Sequence, residues 1–407
     1  MNKIFFGIFT LVLLGLVHHS CKKLLPPAPP GNETLDGPVE GLNPEQKLQF
    51  LAGDVAFNED IFSPSTGLGP YFVSNSCGSC HAGDGKGHPF TTLTRFGQST
   101  TAGNTFLKFG GPQLQNRAIP GYQPEVIPSG APFSKFTPPA NSGLGFLEAL
   151  SDSQILSRVD SLDANNDGIS GKPNLIKPPQ YLQIKSHHIL INGYLIGRFG
   201  KKAAAIDLLQ QTVNAYVQDM GITSEFAPNE PAINGISSPY GDLVPDPEVS
   251  TNTVRNLVFY LKTLKTPEPR NTSNSEVLQG KELFKQIGCD KCHTETWTTG
   301  TNEIEALSNK TFHPYTDLLL HDMGSKLDDG YTEGIALTNE WKTPALWGLG
   351  LSKNSQGGEY FLLHDGRAKS IEEAILKHGG EALQITNNFK ALSQQEKNAV
   401  LKFLESL

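Results

Sequence analysis

The segments Cys77-Gly78-Ser79-Cys80-His81 and Cys289-Asp290-Lys291-Cys292-His293 decide how this 407-residue chain is interpreted. Each has the pattern Cys-x-x-Cys-His, which is the attachment signature of a c-type haem. Two thiols one helical turn apart can reach both vinyl groups at one porphyrin edge, and the adjacent histidine can bind the iron. The sequence therefore predicts two covalently bound haems c, attached at Cys77, Cys80, Cys289 and Cys292, with proximal ligands His81 and His293.

Two other interpretations of the cysteine pairs explain less of the pattern. A zinc site could be assembled from four cysteines, but it would leave the two trailing histidines without a role. A thioredoxin-like dithiol would need only one pair, set in a strand–helix–strand context. Two haems account for both cysteine pairs and both histidines.

The N-terminus predicts export and a lipid anchor. The apolar run 4–17 is too short to span a bilayer and has the length of a secretory signal core. Cys21 follows residues 1–20 directly and resembles a bacterial lipoprotein site, although His18 stands where such sites usually have Leu or Val. We expect a periplasmic protein anchored to a bacterial membrane, with the outer membrane favoured. An ordinary signal peptide is the alternative.

Composition limits the class of protein and of partner. The chain has 33 Lys and Arg against 41 Asp and Glu, a net charge of −8, which argues against a nucleic-acid partner. Its 37% hydrophobic and 18% charged residues are typical of a globular protein. The 41 Gly and 28 Pro predict long irregular loops.

The pattern of helices predicts a mainly α fold with two cytochrome c-like haem domains. A helix around 280–284 leads into the second motif, and Ser393 with Glu396 forms a capping box that opens a final amphipathic helix. The polar, Pro-bearing stretch after residue 265 is typical of a linker. We expect a lipoprotein signal peptide at 1–20 and a Pro-rich tether at 21–45. An N-terminal haem c domain should follow at 46–265, then a linker at 266–275 and a C-terminal cytochrome c domain at 276–407.

Several longer segments carry a family resemblance. They are GLGPYFVSNSCGSCHAGDGKG (67–87), DANNDGISGKPN (163–174), IGRFG (196–200), DMGITS (219–224), YTDLLLHDMG (315–324), EWKTPALWGLG (340–350) and FLLHDGRAKSIEEAILKHGGEA (361–382). On these segments the chain resembles the di-haem oxidoreductase, putative peroxidase family. The relatives of that family are the bacterial di-haem cytochrome c peroxidases and the maturation enzyme MauG.

The resemblance implies a two-haem periplasmic redox enzyme. Catalytic activity is less well defined in this family than in its peroxidase relatives. The chain departs from the family at one position, because Lys201 stands where an aromatic residue often follows Gly200.

His378 is the leading candidate for the sixth ligand of the second haem. Ile371, Ala374, Ile375 and His378 fall at offsets 0, 3, 4 and 7 and so share one helix face. In the peroxidase relatives the matching position holds the methionine ligand, and in MauG it holds a tyrosine. Met323 and His364 are the alternatives. His364 and Arg367, in the HDGR turn, are expected near the haem propionates.

The first haem has no comparably clear sixth ligand. His88 lies in a Gly-rich loop and is a weak candidate, and an open iron site there would suit peroxide. Glu148, in an apolar run, is the leading candidate for an acid–base group, since apolar surroundings would raise the pKa of its carboxyl. Gln210 and Gln211 are weaker alternatives, and a surface role for Glu148 is the opposing interpretation.

Asp163, Asn165 and Asp167 match the first half of a calcium loop, with a glycine at the sixth position. Position 12 is Asn174, so the loop lacks the bidentate carboxylate. A metal-free Asx turn explains the same pattern. The peroxidase relatives hold a calcium ion near the inter-haem region.

Two function classes follow. The first is an oxidoreductase that reduces peroxide, or reacts with another small substrate, at the His81 haem. Electrons would pass through the His293 haem to or from a small redox protein. The second is an electron-transfer cytochrome in which both irons have six ligands.

Overall fold

The computed structural model describes residues 30–97, 105–231, 241–242 and 244–407. The signal peptide predicted at 1–20 and the lipidation site at Cys21 lie outside these residues and stay predictions. Among the described residues, no helix has both the length and the apolar character that crossing a membrane requires.

The fold is mainly α, as the sequence predicts, with 35% of the described residues in helix and 11% in strand. The α-helices are α1 Pro44–Asn58, α2 Leu144–Glu148, α3 Asp152–Leu156, α4 Leu208–Ala215, α5 Thr251–Thr263, α6 Ser275–Gln286, α7 Ser352–Ser355, α8 Ile371–Lys377, α9 Leu383–Ala391 and α10 Gln394–Ser406. A π-helical turn, Tyr216–Met220, continues α4.

The strands are short and form two-stranded antiparallel pairs within the loop regions. They are β1 Tyr71–Phe72, β2 Leu93–Phe96, β3 Arg117–Ala118, β4 Phe133–Phe136, β5 Leu175–Ile176, β6 Leu195–Ile196, β7 Trp297–Thr298, β8 Thr311–Phe312, β9 Leu320–Asp322 and β10 Glu340–Lys342. The pairs are β1 with β3, β2 with β4, β5 with β6, β7 with β8, and β9 with β10.

Capping boxes fix where the longest helices begin. Asn43 accepts a hydrogen bond from the Gln46 amide, and the Gln46 side chain accepts one from the Asn43 amide, so both satisfy donors that the first turn of α1 leaves free. Ser393 and Glu396 make the same reciprocal pair at α10. The capping box predicted there is confirmed.

Two pairs of crossing helices meet at glycines. A Cβ on Gly53 of α1 would lie 2.2 Å from the carbonyl oxygen of Asn256 in α5. Likewise, a Cβ on Gly280 of α6 would lie 1.9 Å from the carbonyl oxygen of Ala399 in α10. Only a residue without a side chain lets the backbones approach this closely.

Each helix pair belongs to its own hydrophobic core, but the cores do not follow the predicted domain boundary. The first core holds α1 and α5 and also takes in Trp297, Leu307 and Phe312, which lie beyond the predicted linker. The second holds α6 and α10. Residues at the end of the predicted tether are packed as well, since Leu42 is buried in the first core and the Val39 amide donates to the Thr263 carbonyl at 2.7 Å.

A buried ion pair ties the loop before α4 to α3. Arg198 donates to Asp152 at 2.6 Å, and the two side chains are 1% and 0% exposed. The second carboxylate oxygen of Asp152 accepts from the Ile189 amide at 2.6 Å. Arg198 also donates to the Leu150 carbonyl at 3.0 Å, so both charges have several partners.

Arg198→Met is expected to lower the free energy of unfolding by about 3–5 kcal/mol, because it leaves the Asp152 charge buried without its cation. The matched control is Lys402→Met, which removes an exposed partner of Glu276 and should cost less than about 1 kcal/mol. Urea unfolding followed by circular dichroism measures both. Equal, small losses in the two variants would contradict the stabilising role of the buried pair.

Candidate functional site

Both Cys-x-x-Cys-His motifs line one continuous cavity of about 410 Å³. The four cysteines are free thiols, with no disulfide between them. The two motifs are far apart in the chain, yet the fold brings them to a common space. The cavity lining includes Cys77, Cys80, His81, Cys289, Cys292 and His293.

Each motif forms a single tight turn. The Cys80 and His81 amides both donate to the Cys77 carbonyl at 3.1 Å. In the second motif the His293 amide donates to the Cys289 carbonyl at 3.0 Å. These turns bring the two thiols and the histidine of each motif to the cavity wall.

Backbone hydrogen bonds fix the ring orientation of both proximal histidines. His81 Nδ1 lies 2.9 Å from the Pro139 carbonyl oxygen, and His293 Nδ1 lies 2.9 Å from that of Tyr315. A carbonyl only accepts, so Nδ1 carries the hydrogen and Nε2 keeps its lone pair. Burial lowers the pKa of both imidazoles to about 4, so both are neutral at pH 7.

His378 has the same arrangement. It follows α8, and its Nδ1 lies 2.7 Å from the Ala374 carbonyl oxygen, which again leaves Nε2 free. Burial lowers its pKa. Ile371, Ala374 and Ile375 line the cavity with it, so the predicted shared helix face is confirmed. The role of His378 as an iron ligand stays a prediction.

The other histidine candidates for iron ligands make different contacts. His364 lines the cavity, but its Nε2 bonds Asp329 at 2.6 Å and its ring stacks on Trp341 at 3.7 Å. His88 accepts from the Phe90 amide through Nδ1 and is not among the described residues of the cavity wall. Met323 does line the cavity. Of the histidine candidates, His378 alone has the orientation seen in His81 and His293.

The expectation of a raised pKa for Glu148 is wrong. Burial alone would raise it, but an ion pair with Lys262 at 2.7 Å lowers the pKa of the carboxyl below its usual value. Its other oxygen accepts from the Leu208 amide at 2.8 Å. Glu148 is not among the described residues that line the cavity. Its contacts join α2 to the start of α4 and to the last turn of α5, which is a structural role.

The other acid–base candidates divide in a similar way. The Gln210 side chain accepts from the Ile206 amide at 2.8 Å, so it stabilises the start of α4. Gln211 lines the cavity.

Arg367, expected near the haem propionates, donates to Asp365 at 2.6 Å and to Asp329 at 3.0 Å. It is not among the described residues of the cavity wall, and its guanidinium is paired with one carboxylate of the HDGR turn and one outside it.

The predicted calcium loop lies beside the second motif. Asp163 and Asn165 each accept a hydrogen bond from the Asp167 amide at 2.9 Å. The Asp167 carboxylate also pairs with Lys291, inside the second motif, at 3.2 Å. The side chains thus brace the loop's own backbone, and the loop contacts the haem-binding turn.

Sequence reasoning missed Asp219, a carboxyl group in the cavity wall near the first motif. Burial raises its pKa to about 7, and Arg95 opposes the rise. Burial is the main cause of the raised pKa of the Cys77 thiol, and the negative charge of Asp219 is the second. In the sequence, Asp219 is marked only as the first residue of DMGITS, one of the segments that carry the family resemblance.

A second residue that was missed is His321, which lies on β9 opposite Trp341. Its nitrogens bond Asp317 and Glu381, both at 2.8 Å, and Nδ1 is 3.6 Å from Cys292 Sγ. Burial would lower its pKa, but hydrogen bonds with Asp317, Cys292 and Glu381 raise it to about 12. The sequence could have indicated this pair, because Asp317 and His321 are four residues apart in the segment DLLLH.

The sequence profile described as di-haem oxidoreductase, putative peroxidase matches residues 136–407, more than half of the chain. The chain belongs to the di-haem oxidoreductase, putative peroxidase family. The match contains the second motif and His378, whereas residues 77–81 precede it. No curated protein sequence matches the chain.

Solved structures share only a distant similarity with this family member. One is the hydrazine synthase of Kuenenia stuttgartiensis pressurised with xenon, at 15% identity and a TM-score of 0.40, covering 94% of this chain and 95% of that one. Another is a MauG-like protein associated with microbial copper homeostasis, at 14% identity and a TM-score of 0.31, covering 66% and 89%.

The cavity fits the haems that the di-haem oxidoreductase family implies. Each motif offers two unbridged thiols and an imidazole whose Nε2 is free, all facing the same space. Two haems held there would share one cavity. The protein is therefore a di-haem oxidoreductase with a haem cofactor.

Proposed function

We propose that the protein is an exported, lipid-anchored di-haem c oxidoreductase that reduces hydrogen peroxide, or reacts with another small oxidant, at the His81 haem. Each half would be a cytochrome c-like haem domain. The observation that carries the proposal is the shared cavity, because it brings both motifs to one site. Electrons from a small redox protein would then enter through the His293 haem.

The chain's own residues define the two sites. Cys77 and Cys80 would hold one haem by thioether bonds, and Cys289 and Cys292 the other, with His81 and His293 as ligands through Nε2. Bound haem supplies iron that exchanges electrons. Hydrogen peroxide takes up two electrons and two protons and leaves as two molecules of water. The electrons come from the redox partner, and the protons must come through the protein.

Asp219 is the residue best suited to deliver a proton near the first motif. Its carboxyl lines the cavity and has a pKa of about 7, as an acid working at neutral pH requires. The carboxyl holds its proton below that pH and loses it above. Peroxide turnover should therefore fall as pH rises through about 7.

Asp219→Asn is expected to lower kcat for peroxide by about 100-fold, the usual contribution of a general acid, and to remove this pH dependence. Glu282→Gln makes the same carboxyl-to-amide change on the exposed face of α6, so it is the control and should keep the wild-type pH profile. Steady-state peroxide consumption with a reduced cytochrome donor, measured from pH 5 to about 9, reads both effects. An unchanged profile in Asp219→Asn would exclude this role.

The alternative, a pure electron carrier, makes a different spectral prediction. Peroxidase activity requires an open iron, so the ferric protein should show a high-spin component that binds cyanide. A carrier with six ligands at both irons would be fully low-spin and unreactive towards cyanide. That spectrum, together with absence of peroxide turnover, would overturn the enzymatic proposal.

The loop at Asp163, Asn165 and Asp167 is proposed as a calcium site. Its contact with Lys291 supports an effect on the second haem. Removing calcium by chelation and dialysis should then change the haem spectrum, and adding calcium should restore it. The variant Asp163→Asn should show the altered spectrum without chelation. A spectrum that is the same in metal-free and calcium-loaded protein would identify a plain Asx turn.

Export and anchoring are tested by cell fractionation. The intact chain should sediment with membranes, and Cys21→Ala should appear in the soluble periplasmic fraction. Both forms in the same fraction would contradict the lipid anchor.

A further inference from the structure

Three lysines from distant parts of the chain line the cavity together. Lys86 follows the first motif, Lys201 precedes α4, and Lys342 ends β10. The Lys342 amide donates to the Lys201 carbonyl at 3.0 Å, which fixes these two positions side by side. Each side chain is half-buried and is part of the cavity wall.

None of the three ammonium groups has a hydrogen bond or ion pair within the described part of the chain. The carboxylates that act on them are already engaged, Asp365 by Arg367 and Asp317 by His321. Burial lowers the pKa of Lys86 and of Lys342 to about 8. For Lys201, burial and repulsion by the other two ammonium groups lower the pKa well below its usual value.

The neighbouring Lys202 shows how this fold treats a structural lysine. Its ammonium donates to the Leu337 carbonyl at 2.9 Å and to the Glu340 carbonyl at 2.6 Å. It also lies 3.9 Å from the centre of the Trp341 ring. A buried ammonium normally has such partners, since an unpaired charge away from water is costly. Haem filling the cavity would exclude water from the three cavity lysines, which would then need an anion from outside the chain as their partner.

We infer that Lys86, Lys201 and Lys342 form one carboxylate-binding cluster, and that its ligands are the propionates of the haems in the shared cavity. Haem carries carboxylates into the cavity, and a lysine pairs with a carboxylate as a point charge. Arg367, which was also expected near the propionates, has its guanidinium paired with Asp329 and Asp365. The inference rests on the proposed haem content but not on peroxide as substrate.

Lys201 gives the cluster a consequence particular to this chain. The family often has an aromatic residue at this position, which has no charge. A cation beside a propionate offsets its negative charge, and this disfavours the ferric state, which carries one more positive charge than the ferrous state. Lys201 is therefore a positioning residue that raises the reduction potential of the haem it contacts.

The test compares midpoint potentials in spectroelectrochemical titrations of the fully loaded protein. Lys201→Gln should lower the potential of one haem, whereas Lys201→Arg keeps the charge and should stay close to the wild type. Lys390→Gln makes the same charge change on the exposed face of α9 and is the matched control. Lys86→Gln and Lys342→Gln are titrated in parallel, so a folding defect in one variant does not remove the test.

The pH dependence of the potential gives a readout that packing alone would not move. Without its cation, a propionate in the cavity should have a raised pKa, so the potential of Lys201→Gln should fall with rising pH across about pH 5–8. Wild type should be flatter over that range. The inference would be overturned if the haem-loaded variants at Lys201, Lys86 and Lys342 all had the same potential and pH dependence as Lys390→Gln. Since no peroxide is used, failure of the peroxidase proposal would leave this result standing.

Discussion

Replacing both Cys77 and Cys80 by alanine is expected to reduce the covalent haem content from two per chain to one. The two thiols line the cavity at the first motif and form no disulfide, so both are free to attach a haem. Without them, the haem at this motif would depend on a single bond from His81 and would not survive denaturation. The second motif does not use these thiols and should keep its haem.

Pyridine haemochrome assay, with haem staining of a denaturing gel, measures the loss. Ser79→Ala is the matched control, because it changes one of the two residues between the same cysteines and should retain two haems. Cys289→Ala with Cys292→Ala should give the complementary one-haem protein. Two covalent haems in the Cys77 and Cys80 variant would mean that the first motif is not an attachment site.

The sequence was most informative where chemistry and structure are local. A Cys-x-x-Cys-His motif contains all its reactive groups within five residues, so its turn needed no information from the rest of the chain. The capping box at Ser393 and the helix face that ends at His378 are equally local, because a helix repeats every 3.6 residues. Both were confirmed by the structure.

Electrostatic environments were harder to predict because they depend on distant partners. Glu148 sits in an apolar stretch of sequence, yet its pKa is set by burial and by Lys262 of α5. No periodicity in the sequence relates these two residues. The same applies to the three cavity lysines, which come from separate loops and strand ends. Packing across the predicted linker depends on distant partners as well, since Phe312 belongs to the first core, and the domain boundary stays a prediction.

His378→Met is expected to raise the reduction potential of one haem and to leave the other nearly unchanged. We expect the second haem to have two histidine ligands, His293 and His378. The hydrogen bond from His378 Nδ1 to the Ala374 carbonyl keeps Nε2 available. It also makes the imidazole more basic, so Nε2 would be a stronger ligand for iron. Methionine ligation raises haem potential relative to histidine, so the substitution should move the potential upwards.

The low potential of such a haem would suit a particular redox role. In the peroxidase relatives, a methionine-ligated haem is readily reduced and feeds electrons to the peroxide site. A haem with two histidines is harder to reduce and easier to oxidise. Such a haem would therefore help to share an oxidising equivalent between the two irons.

Near-infrared absorption decides the ligand directly. The His378→Met variant should gain the weak sulfur-to-iron charge-transfer band that wild type lacks. Leu376→Met is the matched control, because it adds a methionine to the exposed face of α8, where it should produce neither the band nor a change in potential. Met323 and Met220 also line the cavity. A band already present in wild type would therefore identify one of these as the ligand, and the argument for a low-potential second haem would fail.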